Sequence, residues 1–160
     1  MSIAEREQCY FPKPRISSLK EHRHVHQHNK NAVRLVKSIG DLAGLTDMGL
    51  HMVRIEPGFE TTEFHFHGQD EEFVYIISGQ GTALLGNDTI IVAPGDVMLF
   101  PKNGPAHAMR NEGPEDLVYL MGGTRSEIDV CTYPRLQLRQ YRINGAREYT
   151  DIASIKKVDP

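Results

Sequence analysis

The sequence predicts an all-β fold, an antiparallel sandwich or barrel, on three observations. Between Leu50 and Gly123 the apolar runs are short, and each is closed by Gly, Pro or Asn. No helical period separates them. Two β-rich runs, "GTALLG" and "TIIVAPG", flank Gly86-Asn87-Asp88, a hairpin signature. Many short strands with such turns suit a sandwich or a closed barrel.

Taken in order, residues 1–32 are polar, contain Pro12 and Pro14, and carry "EHRHVHQH"; they predict an irregular arm. "LVKSIGDLAGLTDMG" has two glycines and weak periodicity, which predicts a loop or a short helical turn. "LHMVRIEPG" then alternates and stops at Pro57-Gly58. "EFHFH", "EFVYIIS", "DVMLFP", "HAMRN" and "LVYLMGG" each predict a strand. In the tail "LQLRQYRI" alternates up to Asn144-Gly145, and "REYTDIASIKKVDP" suits a strand or a short helix. The expected organisation is an N-terminal arm (1–40), a β core (41–125) and a C-terminal extension (126–160) packing on the barrel or on a partner subunit.

Composition narrows the function classes. A net charge of -3 without an Arg/Lys stripe gives no electrostatic basis for binding nucleic acid. Cys9 and Cys131 lie far apart and read as free thiols of an intracellular protein. No apolar run reaches membrane-spanning length, and the polar start does not read as a signal peptide. The expectation is a cytoplasmic protein without nucleic-acid or membrane partners.

The chemistry concentrates in "ETTEFHFHGQDEEFVYIISG". Strand alternation points His65 and His67 the same way, with Glu63 on their face and Phe64 and Phe66 on the other. "GQDE" then reverses the chain. In the returning strand Glu72, Val74, Ile76 and Ser78 share one face, while Glu71, Phe73, Tyr75 and Ile77 share the other. Alternation alone leaves the choice of glutamate open. His107, after a Pro/Gly turn, supplies a third imidazole. Imidazoles with a carboxylate suit a divalent transition metal such as Fe, Mn, Ni, Cu or Zn. A His-x-His pair by itself more often decorates a surface; the carboxylate and the third imidazole favour the metal. His22, His24, His26 and His28 alternate in the arm and could face one way as a secondary metal or pH-responsive site. The ordinary alternative is an arm that pairs with a neighbouring sheet.

Here the chain resembles the cupins. "GFETTEFHFHGQDEEFVYIISG" is similar to the first cupin motif through Gly58, His65, His67, Glu72 and Gly79, with one extra residue between Gly58 and His65. "GDVMLFPKNGPAHAMRN" is similar to the second through Gly95, Pro101, Gly104, His107 and Asn111, with one extra residue between Pro101 and Gly104. The resemblance implies a cupin double-stranded β-helix, a jelly-roll barrel, with an N-terminal arm and a C-terminal extension. It implies a metal held by His65, His67, Glu72 and His107. The spacing to Gly79 in the motif selects Glu72 and leaves Glu71 and Asp70 as a solvated turn. "YLMGGTRSEIDVCTYPRLQL", with Gly123-Thr124-Arg125 and Tyr133-Pro134, further resembles small single-domain bacterial cupins of unassigned activity.

The function this implies is a metal-dependent enzyme on a small oxygenated molecule, dioxygenase-, decarboxylase- or isomerase-like. The alternative is a non-catalytic module binding a small ligand such as a sugar. A sugar-phosphate or nucleotide-sugar isomerase or epimerase ranks lower, because only Arg54, Lys102 and Arg110 lie in or near the two motifs. Arg54 could steer an anion or form a surface ion pair. Asn111 could steady an imidazole or make a plain structural bond. A homodimer is expected, with the apolar face opposite the ligands, Phe73, Tyr75 and Ile77, packed between sheets or subunits.

Overall fold

The structure, a computed structural model, describes residues 2–156 and 158. Two short helices open it, α1 (Ile3–Cys9) and α2 (Lys13–Ser18). A capping box starts α1: Ser2 Oγ accepts from the Glu5 N–H at 3.2 Å, and Glu5 Oε2 accepts from the Ser2 N–H at 2.6 Å. Then come β1 (His22–His26), β2 (Asn29–Ser38), α3 (Ile39–Ala43), β3 (Met48–Ile55), β4 (Phe66–His67), β5 (Glu72–Ser78), β6 (Gly81–Leu85) and β7 (Asp88–Val92). The chain continues through β8 (Val97–Phe100), β9 (His107–Arg110), β10 (Leu117–Thr124), β11 (Ile128–Tyr133), β12 (Leu138–Ile143) and β13 (Ala146–Asp151). A single 3-10 turn, Ile152–Ser154, follows. Among the described residues no helix is long and apolar enough to cross a membrane.

The strands form two layers. One is a six-stranded sheet in the order β1-β2-β3-β10-β5-β8. The other joins a four-stranded sheet, β13-β12-β11-β4, to a three-stranded sheet, β7-β6-β9, through an antiparallel bridge between His65 and His107. That bridge already sets two of the expected ligand residues side by side. As expected, a two-residue Gly86-Asn87 connection joins β6 to β7.

The apolar core fills one end of the space between the layers. Val53 and Ile55 of β3, Val74 and Ile76 of β5, and Leu117 and Tyr119 of β10 meet Ala83, Val92 and Met109 from the facing layer. Full burial of each large side chain contributes roughly 1.5–3 kcal/mol. Asn111 belongs to this framework. Its amide donates to the carbonyls of Ile55 and Glu115 at 2.8 Å each, and its Oδ1 accepts from the Gly113 N–H at 3.1 Å. It ties the end of β3 to the β9–β10 connection and touches no imidazole through these bonds.

The expectation of an irregular arm over residues 1–32 is corrected. β1 and β2 form an antiparallel hairpin, and β2 pairs with β3 inside the six-stranded sheet, so regular structure runs across residue 40. The polarity of His22 and His24 points to an irregular arm, yet these residues, with Arg34 and Ser38 of β2, line a cavity. A strand whose inner face meets a polar cavity loses the apolar alternation by which strands are recognised. At the other end of the chain, β11 pairs with β4, with Cys131 opposite His67.

Candidate metal centre

Away from the apolar end, the layers enclose a cavity of about 600 Å³. Four side chains converge in it. Glu72 Oε2 lies 3.3 Å from His107 Nε2, 3.6 Å from His67 Nε2 and 3.9 Å from His65 Nε2. The Nε2 atoms of His65 and His67 are 3.1 Å apart. Glu71, immediately before β5, is exposed. The alternation that left the two glutamates open is thus resolved by burial of one face.

The sequence produces this geometry through local devices. His65 and His67 flank Phe66 on one extended segment, and Phe64 turns the other way into a small cluster with Leu84 and Ala108. Glu72 opens β5 opposite Gly123 of β10. A Cβ on Gly123 would sit 2.9 Å from Glu72 Cγ and 2.8 Å from the Glu71 carbonyl, so a larger residue would displace the carboxylate. The Phe100 ring stacks on His107 at 3.6 Å between centroids, fixing the plane of that imidazole.

Each imidazole is also held from behind. His65 Nδ1 is 2.8 Å from the Glu63 carbonyl, and His107 Nδ1 is 3.3 Å from the Pro105 carbonyl. A carbonyl only accepts, so in both rings Nδ1 carries the hydrogen and Nε2 presents a lone pair to the centre. His67 Nδ1 is 2.6 Å from Asp129 Oδ2, which fixes the same orientation. Two Nε2 atoms facing each other at 3.1 Å repel unless a proton on one of them, or a metal cation among them, relieves the contact. Three imidazole nitrogens and one carboxylate, each steadied by an acceptor behind it, fit a divalent transition metal.

The electrostatics agree. Burial, with the neighbouring imidazoles, pushes His65 down to about 3, so this ring stays neutral at ordinary pH. Burial alone would raise Glu72, but hydrogen bonding and positive charge at the three imidazoles outweigh it and hold the carboxyl at about 2; with the rings neutral, a bound cation would supply that charge. Burial pulls His67 down, and the Asp129 and Glu72 carboxylates overcome this and raise it above its ordinary value. Asp129 is 2% exposed and also accepts from the Gln69 and Asp70 N–H groups at 3.0 and 3.2 Å.

Several residues beyond the two motifs belong to the cavity. Along β11, Asp129, Cys131 and Tyr133 alternate inward, and a Cys131–His65–His67 group brings its ligand atoms within 4.8 Å of one another. The alternation in "DVCTY" is the signal that would have found them. Burial raises the Cys131 thiol to about 12 and lifts the Tyr133 hydroxyl further above its ordinary value, so both remain neutral hydrogen-bonding groups. Arg34, Arg125, Arg142 and Arg147 line the cavity, from β2, the β10–β11 connection, β12 and β13. Asp70, expected in a solvated turn, is instead buried at 4% exposure. It pairs with Arg142 and accepts from the Ser126 N–H at 2.8 Å and from Thr124 Oγ1 at 3.2 Å. A cation brought inward on β12 needs a counter-charge, and the turn supplies it.

Other expectations resolve plainly. The Glu63 side chain accepts from Asn29 at 3.1 Å, so its carbonyl, not its carboxylate, steadies His65. Arg54 is held by Glu21 at 2.7 Å and Asp116 at 2.8 Å, as a structural ion pair. Among the described residues no three-ligand group includes His22, His24, His26 or His28. His26 and His28 instead set their rings against Tyr133, with centroids 5.6 and 5.8 Å away, and Tyr133 lies 6.0 Å from His65.

Comparisons with known proteins bear on this geometry. A cupin domain profile matches residues 51–123, which carry all four converging side chains. A crystal structure of a candidate sugar phosphate isomerase from Acidithiobacillus ferrooxidans is 42% identical, with a TM-score of 0.94 over 96% of this chain and 99% of that one. A sugar phosphate isomerase of the cupin superfamily from Silicibacter pomeroyi is 22% identical, with a TM-score of 0.76 over 88% of this chain and 90% of that one. A predicted oxalate decarboxylase from Thermotoga maritima is 19% identical, with a TM-score of 0.59 over 70% and 97%. The last two show the fold alone. No curated protein matches significantly. The chain belongs to the cupins.

Proposed function

We propose that this cupin is a metal-dependent enzyme acting on a small, oxygenated, anionic molecule, with isomerisation of a phosphorylated sugar as the favoured reaction. The observation that carries the reading is the convergence of three imidazole Nε2 atoms and Glu72 in a cavity lined by arginines. His65, His67, Glu72 and His107 would hold the metal, drawn from Fe, Mn, Ni, Cu or Zn, which would polarise a carbonyl or hydroxyl oxygen of the substrate. The neutral Cys131 and Tyr133 beside the cluster would offer hydrogen bonds to substrate oxygens. The low rank that the sequence gives an isomerase rests on too few cations near the motifs. Four arginines reach the cavity from other strands and connections, and the relative sharing 42% identity bears the isomerase description. We assign the enzyme to the cytoplasm, in keeping with two free cysteines.

The test is metal analysis of the purified and reconstituted protein, followed by NMR of sugar phosphates in D2O. The expected result is about one first-row metal per chain and solvent deuterium entering the sugar carbon next to the carbonyl. Failure to retain any metal after reconstitution would sink the metal-enzyme reading. Tight binding of the sugar phosphate without exchange or turnover would favour the non-catalytic ligand-binding alternative.

A homodimer is part of this proposal. On the outer face of β5 and β8, Tyr75, Ile77, Val97 and Leu99 form an apolar stripe at a sheet edge, with Leu99 71% exposed. Such stripes are characteristic of association surfaces. Light scattering should give a dimer for the wild type and a monomer for Leu99→Glu. A wild-type monomer at tens of micromolar would dismiss the idea.

A further inference from the structure

Two of the four cavity arginines are already neutralised, Arg142 by Asp70 and Arg125 by Asp41. Arg34 and Arg147 have no carboxylate partner within 4 Å among the described residues. The Nε of Arg34 is buried with no hydrogen-bond partner, as are those of Arg110 and Arg139, but Arg34 alone of the three lines the cavity. A buried, unpaired guanidinium donor is costly, and an ordered water, an ion or a ligand can satisfy it.

The two cations belong to one corner of the cavity. His24 lies directly across from Arg34 in the β1–β2 pair, and Arg147 lies across from Arg142 in the β12–β13 pair. β1 and β13 are the outer strands of their sheets, and the Tyr149 ring of β13 meets the His28 ring at 5.0 Å, closing the seam between them. Burial and the charges of Arg34 and Arg147 lower both His24 and His26, the latter to about 4, so both arginines act on the same two imidazoles. The Tyr133 ring separates His26 from His65, with centroids 5.6 and 6.0 Å away. The corner is thus one aromatic ring away from the ligand cluster.

We propose that Arg34 and Arg147, flanked by His24 and His26, form an anion subsite that takes the phosphate of a phosphorylated substrate whose oxygenated end reaches the His65, His67, Glu72 and His107 cluster. The proposal rests on reading the cavity as a substrate site. It explains why the β1–β2 hairpin carries polar residues inward: the hairpin extends the sheet to supply one wall of the subsite. Planar guanidinium groups suit phosphate oxygens through paired N–H donors.

The test is calorimetric titration of the full-length protein with inorganic phosphate, fructose 6-phosphate and fructose. The wild type is expected to bind the sugar phosphate more tightly than inorganic phosphate and to bind fructose weakly or not at all. Arg34→Gln and Arg147→Gln should each weaken both phosphate ligands by about tenfold or more. Arg34→Lys should fall between, since it keeps the charge and loses the fork. Arg23→Gln removes the same charge from the opposite face of β1 and should change nothing. Arg147 is exposed on an edge strand, so its variant tests the subsite even if Arg34→Gln folds poorly. Equal affinity for fructose and its phosphate, or equal losses in Arg23→Gln and Arg147→Gln, would overturn the subsite. So would binding of inorganic phosphate but not of the sugar phosphate. Metal content measured on the same samples reads the metal site separately, because none of these substitutions touches its four side chains.

Discussion

Replacing Glu72 with glutamine should lower the affinity for a first-row metal by at least about a hundredfold and leave the purified protein with little bound metal. The carboxylate is the only anionic member of the converging set, and its Oε2 lies within 3.9 Å of all three imidazole Nε2 atoms. Glutamine keeps the shape and removes the charge, so loss of metal would report electrostatics and donor chemistry rather than a packing defect. Glu71→Gln is the matched control, because Glu71, immediately before β5, is exposed and belongs to no candidate ligand group. Metal content by mass spectrometry, with melting temperature as a check on folding, decides the matter. Retention of metal in the Glu72 variant together with its loss in the Glu71 variant would overturn the ligand assignment. Any metal-dependent turnover should fall with metal content.

The contrast between these two glutamates illustrates what sequence could resolve. The period of two places Glu71 and Glu72 on opposite faces of β5, and both faces are apolar beyond them, so periodicity fixed the difference without fixing the direction. The spacing of the cupin motif supplied the direction. His107 was legible because it follows a Pro/Gly turn at motif spacing. By contrast, the β1–β2 hairpin was illegible for a physical reason. Strands are recognised by apolar residues entering a dry core, and this hairpin turns His22, His24 and Arg34 into a polar cavity. Asp70 is illegible on similar grounds: a polar turn reads as solvated unless its counter-charge is known, and Arg142 lies 72 residues away. Long-range ion pairs leave no periodic trace.

The same limit hid the four cavity arginines and changed the weight of the functional alternatives. Only Arg54, Lys102 and Arg110 stand in or near the motifs, and Arg54 is held by Glu21 and Asp116. The cations that line the cavity stand on β2, β12, β13 and the β10–β11 connection, elements outside both motifs. The motifs specify the geometry of the candidate metal centre, while the strands added at the two ends of the chain set the charge of the chamber around it. Substrate preference should therefore vary with those outer strands among cupins that share the same ligand set.

Asp129→Asn should weaken metal binding by about ten- to a hundredfold and lower stability by about 2–4 kcal/mol near neutral pH. Asp129 accepts from three donors at once: the His67 ring at 2.6 Å and the Gln69 and Asp70 N–H groups at 3.0 and 3.2 Å. It fixes the ring so that His67 Nε2 faces the cluster, and it pins the turn that carries Asp70 and leads into Glu72. An asparagine oxygen can accept from one or two of these donors but lacks the charge and the second acceptor. Burial alone would raise the Asp129 carboxyl, and its bonds to His67 and the two backbone N–H groups hold it below the ordinary carboxylate range. The sign of the pH effect follows. The ionised form is favoured by folding, so its stabilisation is complete above about pH 4, near the unfolded value, and is lost as the pH falls. Melting curves of wild type and Asp129→Asn should therefore stand apart at neutral pH and draw together in acid, while chelator competition reads the metal affinity. A constant gap across that range would mean that Asp129 contributes by shape alone, and unchanged metal affinity would remove it from the support of His67.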